Sequence, residues 1–107
     1  RKRYDILSTS FLSFLKLIIK KSEKYKLPLS YCGEDAGKPI EALVLCSLGF
    51  KTLSMQPNSI APVKSLLRNI KLSEIKQIVD YALESNYETV RNQIVEYLEE
   101  IKYIQTV

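Results

Sequence analysis

The feature of this sequence most suggestive of chemistry is a cysteine followed by a short loop. The loop contains two adjacent carboxylates, with one glycine before them and another shortly after them. The segment YCGEDAGKP spans residues 31–39 and contains Cys32, Gly33, Glu34 and Asp35. A cysteine thiol with its ordinary pKa of about 8.5 stays mostly protonated near pH 7, so it can act as a general acid. Without further context, a lone cysteine after a short apolar run is more typical of a small core residue, and both interpretations stay open.

The other reactive side chains narrow the choice of chemistry. The chain has 107 residues with two cysteines, Cys32 and Cys46, and no histidine. A histidine nucleophile or histidine general base within this chain is therefore excluded, and two cysteines without histidine cannot close a zinc site. Cys46 falls on the apolar face of a predicted helix and is interpreted as a packing residue. So few cysteines favour a reducing compartment, and we expect a cytoplasmic protein.

The charge pattern argues against nucleic acid and membrane as partners. Sixteen basic and twelve acidic residues give a net charge of +4, and the basic residues are dispersed. Lysines on the first predicted helix alternate with apolar positions, which favours a solvated helix face over a phosphate-binding stripe. A basic helical domain that binds nucleic acid, the remaining alternative, needs clustered charge. No apolar run approaches the roughly 20 residues that cross a bilayer.

Capping residues and apolar periodicity predict the elements that position these side chains. After an extended lead-in over residues 1–7, good N-cap residues at 8–10 and a wide apolar stripe from Phe11 to Ile19 predict a first helix. The segments 29–32 and 50–55 are strand candidates. Between them, Pro39 opens a second helix and Gly49 ends it. The other predicted helices run from Asn58 or Ser59 to about Asn69, from a cap at Ser73, and from about Asn86 past Ile104.

Strands that alternate with helices through short loops predict parallel strands joined by right-handed crossovers. Two strands do not make a sheet that is stable alone. The sequence therefore indicates a slice of a larger α/β sheet or barrel over residues 1–70, with a helical pair over residues 71–107 packed on the same unit. An unfinished sheet of this kind is expected to leave apolar strand faces and edges that must be covered.

Four segments, in order along residues 3–70, resemble one known family. The segment at 31–39 resembles the Cys-Gly-Glu-x-Ala-Gly-x-Pro motif of the phosphoenolpyruvate-utilising (β/α)8 barrels. RYDILSTSFL at 3–12, LCSLGF with LSM at 45–55, and SIAPVK at 59–64 are similar to the family's corresponding stretches. Ile6 and the turn at 56–58 depart from the family pattern. Within the family, the chain is most similar to enzyme I of the bacterial phosphotransferase system, in its nitrogen-branch form.

The resemblance implies a fold, an activity and a set of site residues. The fold would be the C-terminal segment of a (β/α)8 barrel, with two short parallel strands, the seventh and eighth, and about five helices. The parent enzyme would transfer phosphate from phosphoenolpyruvate to a phosphocarrier protein. Cys32 would donate a proton to C3 of the enolate, and Gly33 and Glu34 would line the substrate site.

The same resemblance places other necessary groups outside this chain. The carboxylates that bind Mg²⁺ and the arginines that bind substrate would come from earlier barrel strands, and the phosphorylated histidine from a separate domain. We therefore expect this segment to be inactive alone. A homo-oligomer is also expected, because the family's barrel dimerises. The alternative function is a non-catalytic dimerisation or interaction module derived from the same barrel.

Overall fold

The first helix, α1 (Thr9–Lys24), begins directly after Ser8, whose hydroxyl accepts a hydrogen bond from the Phe11 backbone N–H. The computed structural model of the chain describes residues 5–101. Only three of the seven apolar residues in the predicted stripe are buried, namely Leu12, Leu15 and Ile19. Phe14 and Leu17 are 56% and 55% exposed. The helix therefore has a narrower core face than its apolar composition predicts.

The two short strands pair in parallel as predicted. Strand β1 (Ser30–Cys32) lies beside β2 (Thr52–Ser54), with Tyr31 opposite Leu53 and Cys32 opposite Ser54. A 3₁₀ turn over Glu34–Gly37 and helix α2 (Pro39–Leu48) form the crossover between them. Gly49 ends α2 in the left-handed conformation, with φ of 120°, as its position predicts.

Three further helices complete the five found within residues 5–101: α3 (Pro57–Arg68), α4 (Leu72–Glu84) and α5 (Arg91–Glu100). Helix α3 begins earlier than predicted, because Pro57 occupies its first position, where the fixed φ of proline favours helix. Helix α4 has Lys71, not Ser73, at its N-cap. The predicted caps at Asn58, Ser59 and Ser73 were therefore wrong by two or three positions.

The last helix begins at Arg91 rather than near Asn86. Asn86 has a left-handed φ of 62°, which interrupts the helix there. Thr89 then forms an isolated antiparallel bridge with Ser8. This bridge holds the segment before α5 against the start of α1. Helix α5 ends at Glu100 with Ile101 as its C-cap, so the prediction that it continues through Ile101 was wrong. The part predicted around Ile104 lies outside the described residues.

Helix α2 is the centre of the hydrophobic core, with Leu43, Val44 and Leu45 fully buried. It packs against α3 and α4 and also contacts α1 and α5. Ile6 and Leu7, predicted to be extended, instead form a turn that is buried in the same core. The Leu7 carbonyl accepts a hydrogen bond from the Val90 N–H at 3.0 Å. The start and the end of the described chain are thus joined.

One face of the strand pair is open, but it is not apolar. Side chains alternate across a strand, and the half-buried Tyr31 and Leu53 occupy the covered face. The exposed positions are Ser30, Cys32, Thr52 and Ser54. The expectation of an apolar open face was therefore wrong for these strands, since small and polar side chains occupy it. No helix within residues 5–101 is long and apolar enough to span a bilayer.

Candidate functional site

The carboxyl ends of β1 and β2 meet at one edge of the strand pair, where Cys32 and Ser54 are partners in register. Cys32 is exposed. An open cleft of about 830 Å³ begins directly beyond these ends. The loop after β1 contributes Gly33, Glu34, Gly37 and Lys38 to its lining, and the β2 end with the start of α3 contributes Ser54, Met55, Gln56, Pro57 and Ser59. Two of the three predicted site residues, Gly33 and Glu34, therefore line the cleft, and Cys32 directly precedes them in the chain.

The turn after Cys32 depends on a glycine. Gly33 has φ of 143° and ψ of 171°, a conformation that residues with a side chain rarely adopt. The chain then closes into the 3₁₀ turn, in which the Ala36 N–H donates to the Gly33 carbonyl at 3.1 Å. Ala36 is buried. The strand is thereby redirected at once, so that Glu34 reaches the cleft directly after the cysteine.

A short ion pair shapes the charge at the cleft. Lys38 Nζ lies 3.1 Å from Asp35 Oδ1. Burial raises the pKa of the Tyr31 hydroxyl, and the nearby Asp35 carboxylate raises it further. The Tyr31 ring meets Phe50 edge-on, with 5.5 Å between ring centres, and this contact packs β1 against the end of α2. The loop after β1 thus carries one cation and two carboxylates close to the exposed thiol.

The second cysteine has a different environment. Cys46 is half-buried on α2, and burial raises the pKa of its thiol. A thiol that is harder to deprotonate is a weaker nucleophile at neutral pH. This location agrees with the interpretation of Cys46 as a packing residue.

The described residues offer no independent metal site. Within residues 5–101, no three cysteine or carboxylate side chains come close enough together to hold a metal ion. Cys32 and Glu34 therefore do not form a metal centre with other groups of this part of the chain. The side chains that line the cleft can make polar contacts with a bound anion, and the exposed thiol of Cys32, directly before the lining residue Gly33, carries a proton that it can donate.

The lysines of α1 lie mostly in solvent. Lys20, Lys21 and Lys24 are exposed, and Lys16 forms a 2.7 Å ion pair with Asp80 of α4. Lys26 lies beyond the helix with φ of 58°. These lysines lie on or just after α1, whereas the cleft is formed by the loop after β1, the end of β2 and the start of α3. None of them lines the cleft.

Sequence reasoning missed the half of the cleft that follows β2. Ser54, Gln56 and Ser59 line it, yet their sequence context suggested only a strand end and a helix cap. One signal for them was available. Parallel strands bring their carboxyl ends to the same edge of a sheet, so the residues after β2 must lie beside those after β1.

Comparisons with known proteins relate the chain to one enzyme family. The profile of the PEP-binding domain of PEP-utilising enzymes matches residues 1–72. The "Phosphoenolpyruvate-dependent phosphotransferase system" protein of Salmonella typhimurium is 38% identical over 97 residues, which is 90% of this chain and 13% of that protein. Its Escherichia coli counterpart is 36% identical over 97 residues, with the same coverage of 90% and 13%.

A third relative carries a more explicit name. The "Phosphoenolpyruvate-protein phosphotransferase" of Borreliella burgdorferi is 30% identical over 83 residues, covering 78% of this chain and 14% of that protein. The chain thus corresponds to about 13–14% of the length of these curated relatives.

Proposed function

The chain belongs to the PEP-utilising enzymes, whose PEP-binding domain its residues 1–72 match, and we propose that it forms the C-terminal part of a phosphoenolpyruvate-protein phosphotransferase. The parent enzyme transfers a phosphoryl group from phosphoenolpyruvate to a phosphocarrier protein. The observation that carries the proposal is the position of the Cys32-Gly33-Glu34 segment. It lies where two parallel strands end together, beside an open cleft, and ligands of α/β sheets and barrels bind at such strand ends.

Cys32 is the proposed general acid of this reaction. When the phosphoryl group of phosphoenolpyruvate moves to an acceptor nucleophile, the bridging P–O bond breaks and the enolate of pyruvate remains. The Cys32 S–H then donates its proton to C3 of the enolate, which gives pyruvate and a thiolate. Solvent returns a proton to the thiolate. The thiol is exposed at the end of β1, so both the substrate and water can reach it.

Gly33 and Glu34 are the proposed substrate-lining residues. Both line the cleft, and the left-handed conformation of Gly33 directs the chain into it. Lys38 lines the same cleft and can attract an anionic substrate. Its pairing with Asp35 at 3.1 Å moderates that charge. The proposed role of this loop is therefore to hold the substrate beside the thiol.

The proposed parent enzyme needs groups that this chain lacks. The chain contains no histidine to accept a phosphoryl group, and its described residues do not cluster to hold a metal ion. In the proposal, the accepting histidine and the Mg²⁺ ligands come from other parts of the parent protein. The 107-residue chain alone is accordingly proposed to be inactive.

A phosphoryl-transfer assay tests the function and the inactivity separately. Labelled phosphoenolpyruvate is incubated with a phosphocarrier protein and with either the full-length parent enzyme or the 107-residue chain. We expect label on the carrier with the parent and none above the no-protein control with the chain. A parent that fails to label any carrier contradicts the proposed function, and labelling by the chain contradicts its proposed inactivity.

The second candidate is a non-catalytic interaction module. The observation that favours it is the exposed apolar surface of α1, where Phe14, Leu17 and Ile18 are 56%, 55% and 36% exposed. A module that acts by association needs such a surface, whereas a phosphotransferase needs the thiol. Replacement of Cys32 separates the two functions, because it removes the proposed chemistry and leaves α1 unchanged.

A further inference from the structure

The two sides of the cleft touch where Gly37 lies against Ser59. Gly37 is the last residue of the 3₁₀ turn after β1, and Ser59 is in the first turn of α3 after β2. A methyl group placed on Gly37 would lie 2.8 Å from Ser59 Oγ, 3.0 Å from Ser59 Cβ and 3.4 Å from Met55 Cβ. The first two distances are shorter than van der Waals contact, whereas the third is ordinary contact. The two closest contacts at residue 37 therefore both come from the Ser59 side chain.

Neither neighbour of this contact can move away easily. The Ser59 N–H donates to the Gln56 carbonyl at 2.9 Å, which fixes the first turn of α3. On the other side, buried Ala36 and the Lys38 N–H, which donates to the Asp35 carbonyl at 3.2 Å, fix the end of the 3₁₀ turn. The Ser59 hydroxyl can rotate away from a side chain at position 37, but Ser59 Cβ cannot, so relief of the 3.0 Å contact shifts the 3₁₀ turn relative to α3.

We infer that Ser59 is a positioning residue for the Cys32 loop and acts through its close contact with the bare backbone of Gly37. The inference rests on the proposed function for its effect on phosphoryl transfer. Ser59, on the side of the cleft that follows β2, limits how closely the 33–37 turn can approach the start of α3. Gly33, Glu34 and the thiol before them are then held at one position relative to Ser54 and the start of α3.

The distances predict a graded rescue. In Gly37→Ala, the new methyl group meets both Ser59 Oγ and Ser59 Cβ. In Gly37→Ala/Ser59→Ala, only the 3.0 Å contact with Cβ remains, and in Gly37→Ala/Ser59→Gly both contacts are gone. We expect the turn to move most in the first variant, less in the second and least in the third. Ser59→Ala and Ser59→Gly alone are the matched controls for effects on α3.

The first measurement uses the 107-residue chain and does not depend on its function. Amide ¹H–¹⁵N spectra report the surroundings of Cys32, Gly33 and Glu34. Gly37→Ala should shift these three resonances, and the two double variants should return them stepwise towards the spectra of their Ser59 controls. Should Gly37→Ala fail to fold, recovery of a folded spectrum in Gly37→Ala/Ser59→Gly carries the inference. Unchanged resonances in Gly37→Ala, or no recovery on removal of the Ser59 side chain, would overturn it.

The second measurement uses the full-length parent enzyme. Misplacement of catalytic groups by about 1 Å can lower rates by about 100-fold, so Gly37→Ala should lower kcat by about 10- to 100-fold. Gly37→Ala/Ser59→Gly should come within about threefold of Ser59→Gly. A purely structural role predicts less folded enzyme with unchanged kcat per folded molecule, and this result overturns the inference. If the wild-type parent labels no carrier, the proposed function fails, while the spectra of the chain still decide the role of Ser59.

Discussion

Arg91 Nη2 lies 2.8 Å from Oε2 of Glu41, a residue 50 positions earlier whose side chain is only 8% exposed. The same nitrogen lies 2.8 Å from Asp5 Oδ1. One guanidinium at the start of α5 therefore joins the lead-in before α1 to the central helix α2. A carboxylate buried to this extent needs a charged partner, and within the described residues Arg91 provides it.

We predict that Arg91→Ala destabilises the chain. The variant leaves the Glu41 carboxylate buried without its partner, and loss of a fully buried partner costs about 3–5 kcal/mol. Arg91 itself is 37% exposed, so solvent screening reduces the expected loss to about 1–2 kcal/mol of unfolding free energy. Urea unfolding followed by circular dichroism measures it. Arg68→Ala, which removes an exposed arginine from α3, is the control, and an equal loss in both variants contradicts the role of the bridge.

We predict that the Asp5 contribution to stability is lost in acid. Burial raises the pKa of Asp5, but hydrogen bonds from Arg91 and from the Leu7 N–H outweigh it and leave the pKa below 3.8. The contribution is therefore fully present above pH 3.8 and is lost as the pH falls through the lower folded-state pKa. Urea unfolding between pH 6 and pH 2 should show wild type and Asp5→Asn converging at low pH. A stability difference that is independent of pH would show that ionisation of Asp5 is not its source.

The sequence predicted the helices and strands better than it predicted which of their side chains are buried and which long-range contacts they make. The sequence predicted all five helices and both strands, because apolar periodicity and turn residues are encoded within each segment, but it placed the starts of α3, α4 and α5 two or more residues away. It did not predict that Phe14 and Leu17 stay exposed while Leu7 is buried, since burial depends on which elements pack together. The Arg91 contacts with Asp5 and Glu41 join positions 50 or more residues apart, and no local pattern signals them. For the candidate site, the motif predicted Cys32, Gly33 and Glu34, but only the pairing of β1 with β2 shows that Ser54 lies opposite Cys32 and that Ser59 lines the same cleft as Gly33 and Glu34.

Tyr97 of α5, which donates a hydrogen bond to Glu74 of α4, should make the fold sensitive to alkali. Burial, together with the hydrogen bond to the Glu74 carboxylate and the charge of that group, raises the pKa of Tyr97 to about 12. The folded-state pKa exceeds the ordinary value of 10.0. The contribution of Tyr97 to the stability of the fold is therefore fully present below pH 10 and is lost as the pH rises to about 12. The stability difference between wild type and Tyr97→Phe should narrow across this range. Tyr81→Phe, at an exposed position on α4, is the control.

The absorbance of tyrosinate gives a direct measurement of the same titration. Removal of Tyr97 should delete the component of the folded chain that titrates near pH 12. If Tyr97→Phe instead deletes a component near pH 10, the hydrogen bond with Glu74 does not form in solution.

Cys32→Ala in the full-length parent enzyme should slow turnover by about 10²–10⁴-fold, the usual contribution of a general acid. Phosphoenolpyruvate binding should stay close to wild type, because the thiol acts on the enolate after the P–O bond breaks. Turnover is followed by pyruvate release and binding by calorimetry. Cys46→Ala is the control and should change stability more than rate, since Cys46 is half-buried on α2. Near-normal turnover in Cys32→Ala would assign the proton donor elsewhere.

The 107-residue chain should self-associate through α1. Phe14, Leu17 and Ile18 share one face of this helix at spacings of three and four residues, and each is at least 36% exposed. Full burial of such side chains is worth about 1.5–3 kcal/mol each, so a contact between two copies gains several kcal/mol even when burial is partial. Sedimentation equilibrium at micromolar concentrations should show oligomers for wild type and a monomer for Phe14→Ser/Leu17→Ser. Ile60→Ser, which removes a 41% exposed apolar side chain from α3, should leave the oligomers intact. A wild-type chain that stays monomeric at these concentrations would contradict association through α1.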